Sequence, residues 1–245
     1  MNTVIKLTLA ASLAICSYPA LALADTLQVG ASADNTLFQD ALGGLSSGAG
    51  SYLFSGNLNS GQSRRALLRF NLTTIPAGSI ITGVSLRLHM SRSAASGEVV
   101  SVFAASRGWG EGSSNSGIGG AGAPAQPGDA TWLYSSFNTA SWTNPGGDFA
   151  AAASASTIVG GVNAYTWSGA GMVADAQSWL ANPAANFGWL LQGNEADAQT
   201  VKRFDSRENP VASVRPELTV TYIIPSPGAA VLFSVASLMV ARRRR

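Results

Sequence analysis

From Ile81 to Met90 the side chains alternate with a period of two: Val84, Leu86, Leu88 and Met90 fall on one face, Ser85, Arg87 and His89 on the other. Such spacing fits an extended strand lying half-buried on a core. The preceding segment repeats the pattern. Ala66, Leu68 and Phe70 share one face and Arg65, Leu67 and Arg69 the other, with Ile75-Pro76-Ala77-Gly78 as punctuation before the next strand. Further strands are expected at Leu27 to Ala31, Tyr52 to Ser55, Val99 to Ala105, Ala164 to Trp167, Phe187 to Gln192, Thr200 to Phe204 and Glu217 to Ile223. One stretch reads as helix: from Met172, the positions Val173, Ala176 and Leu180 recur at helical spacing beside Trp179, and Asn182-Pro183 stops it. Many short strands with one brief helix predict an all-β fold of two packed antiparallel sheets, a jelly-roll β-sandwich.

Charge sorts the chain into a body and two ends. Lys6 and Arg242 to Arg245 lie in the terminal segments, so residues 25 to 224 carry a formal −3 where the whole chain carries +2. A mildly acidic body with only Lys202 and nine scattered arginines lacks the basic face that nucleic acid requires. About 200 residues suffice for one core, so a single domain is expected, with no repeat and no internal linker. Between Arg107 and Gly128 the chain is nearly all Gly, Ser, Ala, Asn and Pro. No core can be built from that composition, and the segment reads as a long functional loop lying between Trp109 and Trp132.

Both ends read as export signals. Lys6 precedes an apolar stretch from Leu7 to Ile15, and Ala22-Leu23-Ala24 gives the small-x-small pattern that signal peptidase cuts before Asp25, making 1–24 a signal peptide. Leu13-Ala14-Ile15-Cys16 has the outline of a lipoprotein box, but Ile15 is too bulky for the position before the cysteine. Cys16 is then lost with the signal, so disulfides play no part in the mature protein.

At the other end Pro225-Ser226-Pro227-Gly228 precedes an apolar run from Ala229 to Ala241, broken only by Ser234 and Ser237, and then Arg242, Arg243, Arg244 and Arg245. As a helix the run is roughly 20 Å long, short of the ~30 Å hydrocarbon core even with Ile223 and Ile224. The arginines would stay cytoplasmic, giving transient inner-membrane anchoring of an outward-facing body. Residues 223–245 closely resemble the PEP-CTERM type of sorting signal, with Ser226 in place of the usual glutamate. That resemblance implies processing by an exosortase-type sorting enzyme in bacteria that secrete exopolysaccharide. A plain C-terminal membrane anchor has the same layout.

The body has its own resemblance. Ala33-Asp34-Asn35-Thr36-Leu37-Phe38, Arg64-Arg65-Ala66-Leu67-Leu68-Arg69-Phe70-Asn71, Ile75-Pro76-Ala77-Gly78 and Val84-Ser85-Leu86 occur in order. Trp109-Gly110-Glu111-Gly112, Gly128-Asp129-Ala130-Thr131-Trp132, Gly146-Gly147-Asp148-Phe149 and Asn186-Phe187-Gly188-Trp189 follow. Arg203-Phe204-Asp205-Ser206-Arg207-Glu208 and Arg215-Pro216-Glu217-Leu218-Thr219-Val220 complete the series. Together they resemble a DNRLRE domain over residues 25 to 222. The resemblance implies a jelly roll of secreted bacterial and archaeal surface proteins, some beside polysaccharide-degrading modules. A related group is classed as a carbohydrate-binding module for alginate. Gripping a polyuronate calls for basic residues, whereas this body is acidic.

The chemistry-bearing residues favour binding over catalysis. His89, the sole histidine, sits in mid-strand and reads as a solvated strand residue. No His or Cys cluster suits zinc. Asp129, Asp148, Asp205 and Glu208 would have to meet in space to form a glycosidase pair. Sugar rings stack on flat aromatic side chains, which makes Trp109, Trp132, Tyr134, Trp142 and Trp167 the carbohydrate-binding candidates, against a core role for each; Trp179 and Trp189 belong to the core patterns. Arg65, Arg69, Arg203 and Arg207, with Asp205 and Glu208, read as cross-strand ion-pair ladders. Asp25, Asp34 and Asn35 offer hard oxygens for a structural calcium ion, and no other cofactor is expected. The expectation is an exported, non-catalytic cell-surface or matrix protein that binds polysaccharide. The alternatives are a purely structural matrix protein and a glycan-acting hydrolase or lyase. A solvent-exposed row of tryptophans would favour binding, buried ones the structural role, and a cleft with facing carboxylates an enzyme.

Overall fold

A computed structural model of the protein describes residues 23–225. Ala22, Ser226, Pro227, Gly228 and Arg242 to Arg245, and with them nearly all of the predicted signal peptide and sorting tail, lie outside the described residues. No helix among the described residues is long and apolar enough to cross a membrane.

Ten strands carry the fold: β1 (Ala24–Phe38), β2 (Tyr52–Asn57), β3 (Ser63–Phe70), β4 (Ile80–Ser93), β5 (Glu98–Ala104), β6 (Ala155–Val159), β7 (Asn163–Ser168), β8 (Trp189–Gln192), β9 (Lys202–Asp205) and β10 (Glu217–Ile223). All their pairings are antiparallel. In one sheet the first half of β1 pairs with β10, which pairs with β4; β4 is flanked on its other edge by β7 and continues onto β9 and β2. In the other, the second half of β1 pairs with β3, followed by β8, β5 and β6. The two sheets share β1, which changes partner across a bulge between Ala31 and Ala33, and β2, whose last residues Gly56 and Asn57 pair with β3. A bulge both bends a strand and increases its twist, which is how one strand can serve two layers.

The alternation in the sequence becomes the core between the layers. Val84, Leu86, Leu88 and Met90 of β4 and Leu218 and Val220 of β10 meet Ala66, Leu68 and Phe70 of β3, Val100 and Val102 of β5, and Trp189 and Leu191 of β8. The expected helix is present as α1 (Ala170–Ala181), and it buries Met172, Ala176 and Trp179 rather than Val173 and Leu180. Those three positions, four and three apart, define its inward stripe. Gly188 introduces β8 at φ 76°, where an added Cβ would collide with the Leu68 carbonyl, so only glycine fits there.

The segment from Arg107 to Gly128 departs from its expected role. Together with the residues that follow, it forms a fifty-residue excursion between β5 and β6 that covers the outer face of the β1–β3–β8 sheet. There Trp109, Ala130, Trp132 and Trp142 pack on Ala33, Leu37, Leu67 and Leu190, making a second core. The excursion is organised by polar groups rather than by apolar residues of its own. The enclosed Asp129 carboxylate accepts the N–H groups of Ser113 (2.7 Å) and Gln126 (2.7 Å) and the Ser114 hydroxyl. Leu45–Ser46 pairs with Ala123–Pro124 to pin the excursion back to the body.

Candidate functional site

The tryptophans do not form a solvent-facing row. Trp109, Trp132 and Trp142 are 6%, 8% and 6% exposed, and Trp167 is fully enclosed. Three of these four indole N–H groups are spent on the backbone: Trp109 donates to Phe187 O (2.8 Å), Trp142 to Thr131 O (2.8 Å) and Trp167 to Val100 O (2.7 Å). Trp167 packs edge-on against Phe204 in the main core, while the other three meet in the second core. The physical reason is the excursion, which supplies little aliphatic bulk beyond Leu133 and uses these rings to fill its underside. Tyr134, half-buried, stacks edge-on with Phe137 and is the one member of the set that keeps substantial exposure.

The arginines take a different part from the one expected. Arg65 lies over the rings of Trp132 (4.9 Å) and Phe149 (5.3 Å) while its guanidinium grips Glu195 with two bonds of 2.8 Å. Arg203 sits over Tyr52 (4.0 Å) and Arg69 over Trp109 (5.3 Å). For Arg69 and Arg203 stacking on aromatic faces takes the place of the expected cross-strand ion pairs, whereas Arg65 combines stacking with its pair to Glu195, and Arg207 pairs with Glu111 and Glu208.

A groove of about 600 Å³ opens beside Arg69. Arg69, Asn71, Trp109, Trp179, Asn186 and Phe187 are among the residues that line it, and no carboxylate does. Asn186 donates its amide to Phe70 O (2.8 Å), and its enclosed Oδ1 has no partner within the protein. Trp109 thus contributes an edge to this groove, and Arg69 rides on its face.

The calcium candidates separate. Asp25 and Asp34 are nine residues apart on β1, about 30 Å of extended chain, so they cannot share an ion. Asp25 instead accepts from Tyr222 OH (3.1 Å). Asn35 is spent as a structural knot: its amide donates to Glu111 O (2.7 Å) and Ala130 O (3.3 Å), and its Oδ1 accepts from Ser46 and Ser47. Asp34 does meet other acids. It faces Glu111 of the excursion and Glu208 of the turn after β9, with one ligand oxygen of each within 4.8 Å of the others. Arg207 braces the group, its Nη1 donating to Glu111 Oε1 (3.0 Å) and Glu208 Oε1 (2.6 Å) and its backbone N–H to Asp34 Oδ2 (2.8 Å). Burial first, then the neighbouring Glu208, pushes the Asp34 carboxyl well above its ordinary value, against the Arg207 N–H that lowers it. Burial also raises Glu208, although Arg207 opposes it.

The carboxylates named for a glycosidase pair do not meet. Asp129 serves the excursion, Glu208 joins Asp34, and Asp148 accepts the N–H groups of Thr143 and Asn144 (3.0 Å each) and Arg107 Nε (2.7 Å). Asp205 lies 2.6 Å from Nδ1 of His89 and also accepts from Asn209 (2.9 Å). His89 is therefore paired across β4 and β9 rather than simply solvated. Sequence reasoning missed this pair and the part played by Glu111, because strand register and loop return decide both. The one signal available was Glu111 set between Gly110 and Gly112, where the chain approaches its neighbours too closely for any side chain. No protein-family model matches the chain, and a comparison with curated proteins finds none similar to it.

Proposed function

We propose that this is an exported, non-catalytic protein of the cell surface or extracellular matrix, whose domain is a jelly-roll β-sandwich that binds polysaccharide in the groove beside Arg69. The observation that carries the reading is the composition of that groove: a guanidinium stacked on Trp109 with no carboxylate beside it, the apolar sides of Trp179 and Phe187, and the unpartnered Asn186 Oδ1. Sugar C–H faces pack on such apolar surfaces, while hydroxyl or carboxylate groups meet the guanidinium and amide. The signal-peptide pattern and the likeness of 223–245 to a PEP-CTERM signal support export through signal peptidase and an exosortase-type enzyme.

Affinity electrophoresis of the full chain against neutral and acidic polysaccharides tests the binding. Retardation by at least one polysaccharide is expected, weakened at least about tenfold by Arg69→Ala. If no polysaccharide retards the chain, the binding reading falls. A second reading, a structural matrix protein without a ligand, is favoured by the burial of Trp109, Trp132, Trp142 and Trp167, and a wholly negative panel would select it. Mass spectrometry of the surface form tests sorting: loss of the residues after Pro227 is expected, and an intact Arg245 would sink it.

A further inference from the structure

Asp34, Glu111 and Glu208 reach one place from three distant parts of the chain: the second half of β1, the excursion after β5 and the turn after β9. Ionised, the three carboxylates and the single guanidinium of Arg207 leave a charge of −2. Asp34 is fully enclosed, and while its Oδ2 takes the Arg207 N–H, its Oδ1 has no partner. Glu208 Oε2 is likewise enclosed and unpartnered. An unpaired carboxylate oxygen removed from water is among the least favourable groups a fold can hold, and with both acids ionised this cluster holds two, which only a proton shared between Asp34 and Glu208 or a bound cation satisfies. Both belong to the same ring of acids, so one ligand would relieve both.

We propose that Asp34, Glu111 and Glu208 form a binding site for one divalent cation of the calcium type, which ties β1, the excursion and the turn after β9 together. The donor set is oxygen only, without His or Cys, which suits a hard cation rather than a transition metal. A charge of +2 neutralises the site. Calcium accepts an irregular oxygen shell completed by water, which three carboxylates bound to separate segments can supply, whereas magnesium demands a near-ideal octahedron. The proposal does not depend on polysaccharide binding, since none of the three acids lines the groove.

The purified full chain, stripped with EDTA and returned to chelator-free buffer, is titrated with calcium chloride by calorimetry, and its melting is followed in parallel. One ion per chain is expected, with a Kd of about 10⁻³ M or tighter. Tm should rise by about 5 °C or more at about 10 mM calcium, reversibly with EDTA, and by less with magnesium. Asp34→Asn removes a buried charge, so its metal-free Tm should equal or exceed that of the metal-free wild type while its response to calcium vanishes. Glu208→Gln should weaken binding at least about tenfold, and Asp25→Asn should leave it unchanged. No saturable one-to-one binding by the wild type, or binding that survives in a cooperatively melting Asp34→Asn, overturns the site. An equal response to magnesium overturns its assignment to calcium.

Discussion

At the scale of single residues, the chain spends its polar groups on holding irregular segments in place. Asp148 shows how. Burial raises its carboxyl, but the N–H groups of Thr143 and Asn144 and the Arg107 side chain outweigh burial and hold it below its ordinary value of 3.8. A carboxyl with a lower pKa in the folded state binds fewer protons there than in the unfolded chain, so stability rises with pH through the interval between the two values. The contribution is complete above the ordinary value and is lost as pH falls through the depressed one. Asp148→Asn keeps the shape but turns one acceptor oxygen into a donor and removes the charge from the other, and should cost about 1–3 kcal/mol at neutral pH. Urea unfolding of both proteins at neutral pH and near pH 3 checks this. The gap should narrow in acid, and a constant gap would mean that the carboxylate charge is not what holds the 143–148 turn.

At the scale of elements, β9 does more than add a strand. Lys202 is fully enclosed, and its Nζ donates to Ser93 Oγ (2.6 Å), Ala95 O (2.8 Å) and Ser96 O (2.5 Å), closing the turn that joins β4 to β5. A buried ammonium is tolerable only because all three of its donors are used. Lys202→Met preserves the aliphatic stem but removes three hydrogen bonds from a part-exposed turn whose carbonyls water can reach, so a loss of about 1–2 kcal/mol is expected in chemical denaturation. A loss below about 0.5 kcal/mol would show that water replaces the ammonium without penalty. The strand itself was legible, since Thr200 to Phe204 reads as extended, but the lysine's destination was not: nothing local distinguishes a lysine that snorkels to solvent from one that caps a distant turn. β1 shows the same limit. Leu27 to Ala31 alternates and was readable, whereas Ala33 to Phe38 is buried on both faces once the excursion folds over it, and alternation carries no signal there.

At the scale of the whole molecule, the two cores are opposite faces of the same strands. Leu67 and Leu68 are neighbours on β3, as are Leu190 and Leu191 on β8, and in each pair one residue enters the second core and the other the main core. The main core was legible because period-two alternation reports one buried face directly. The second core was not, because its cover is made largely of glycine, serine and alanine hung on the hydrogen bonds of Asn35, Asp129 and Asp148 and on three indoles, a composition that reads as loop until the tertiary contacts exist. The same obstacle hid the acid cluster, since Glu111 reaches Asp34 only when that cover is in place. Residues 23–225 contain no cysteine, so packing, hydrogen bonding and any bound ion must hold both layers without a covalent staple. Because neither core can lose β3 or β8 without the other, the excursion and the sheets should unfold together. Leu67→Ala and Leu68→Ala should each cost about 2–5 kcal/mol and move one common transition, seen alike by far-UV circular dichroism and by tryptophan fluorescence, which samples Trp132 and Trp142 in one core and Trp167 and Trp189 in the other. Fluorescence that changes ahead of the circular dichroism in Leu67→Ala would show instead that the excursion melts as a separate layer over an intact pair of sheets.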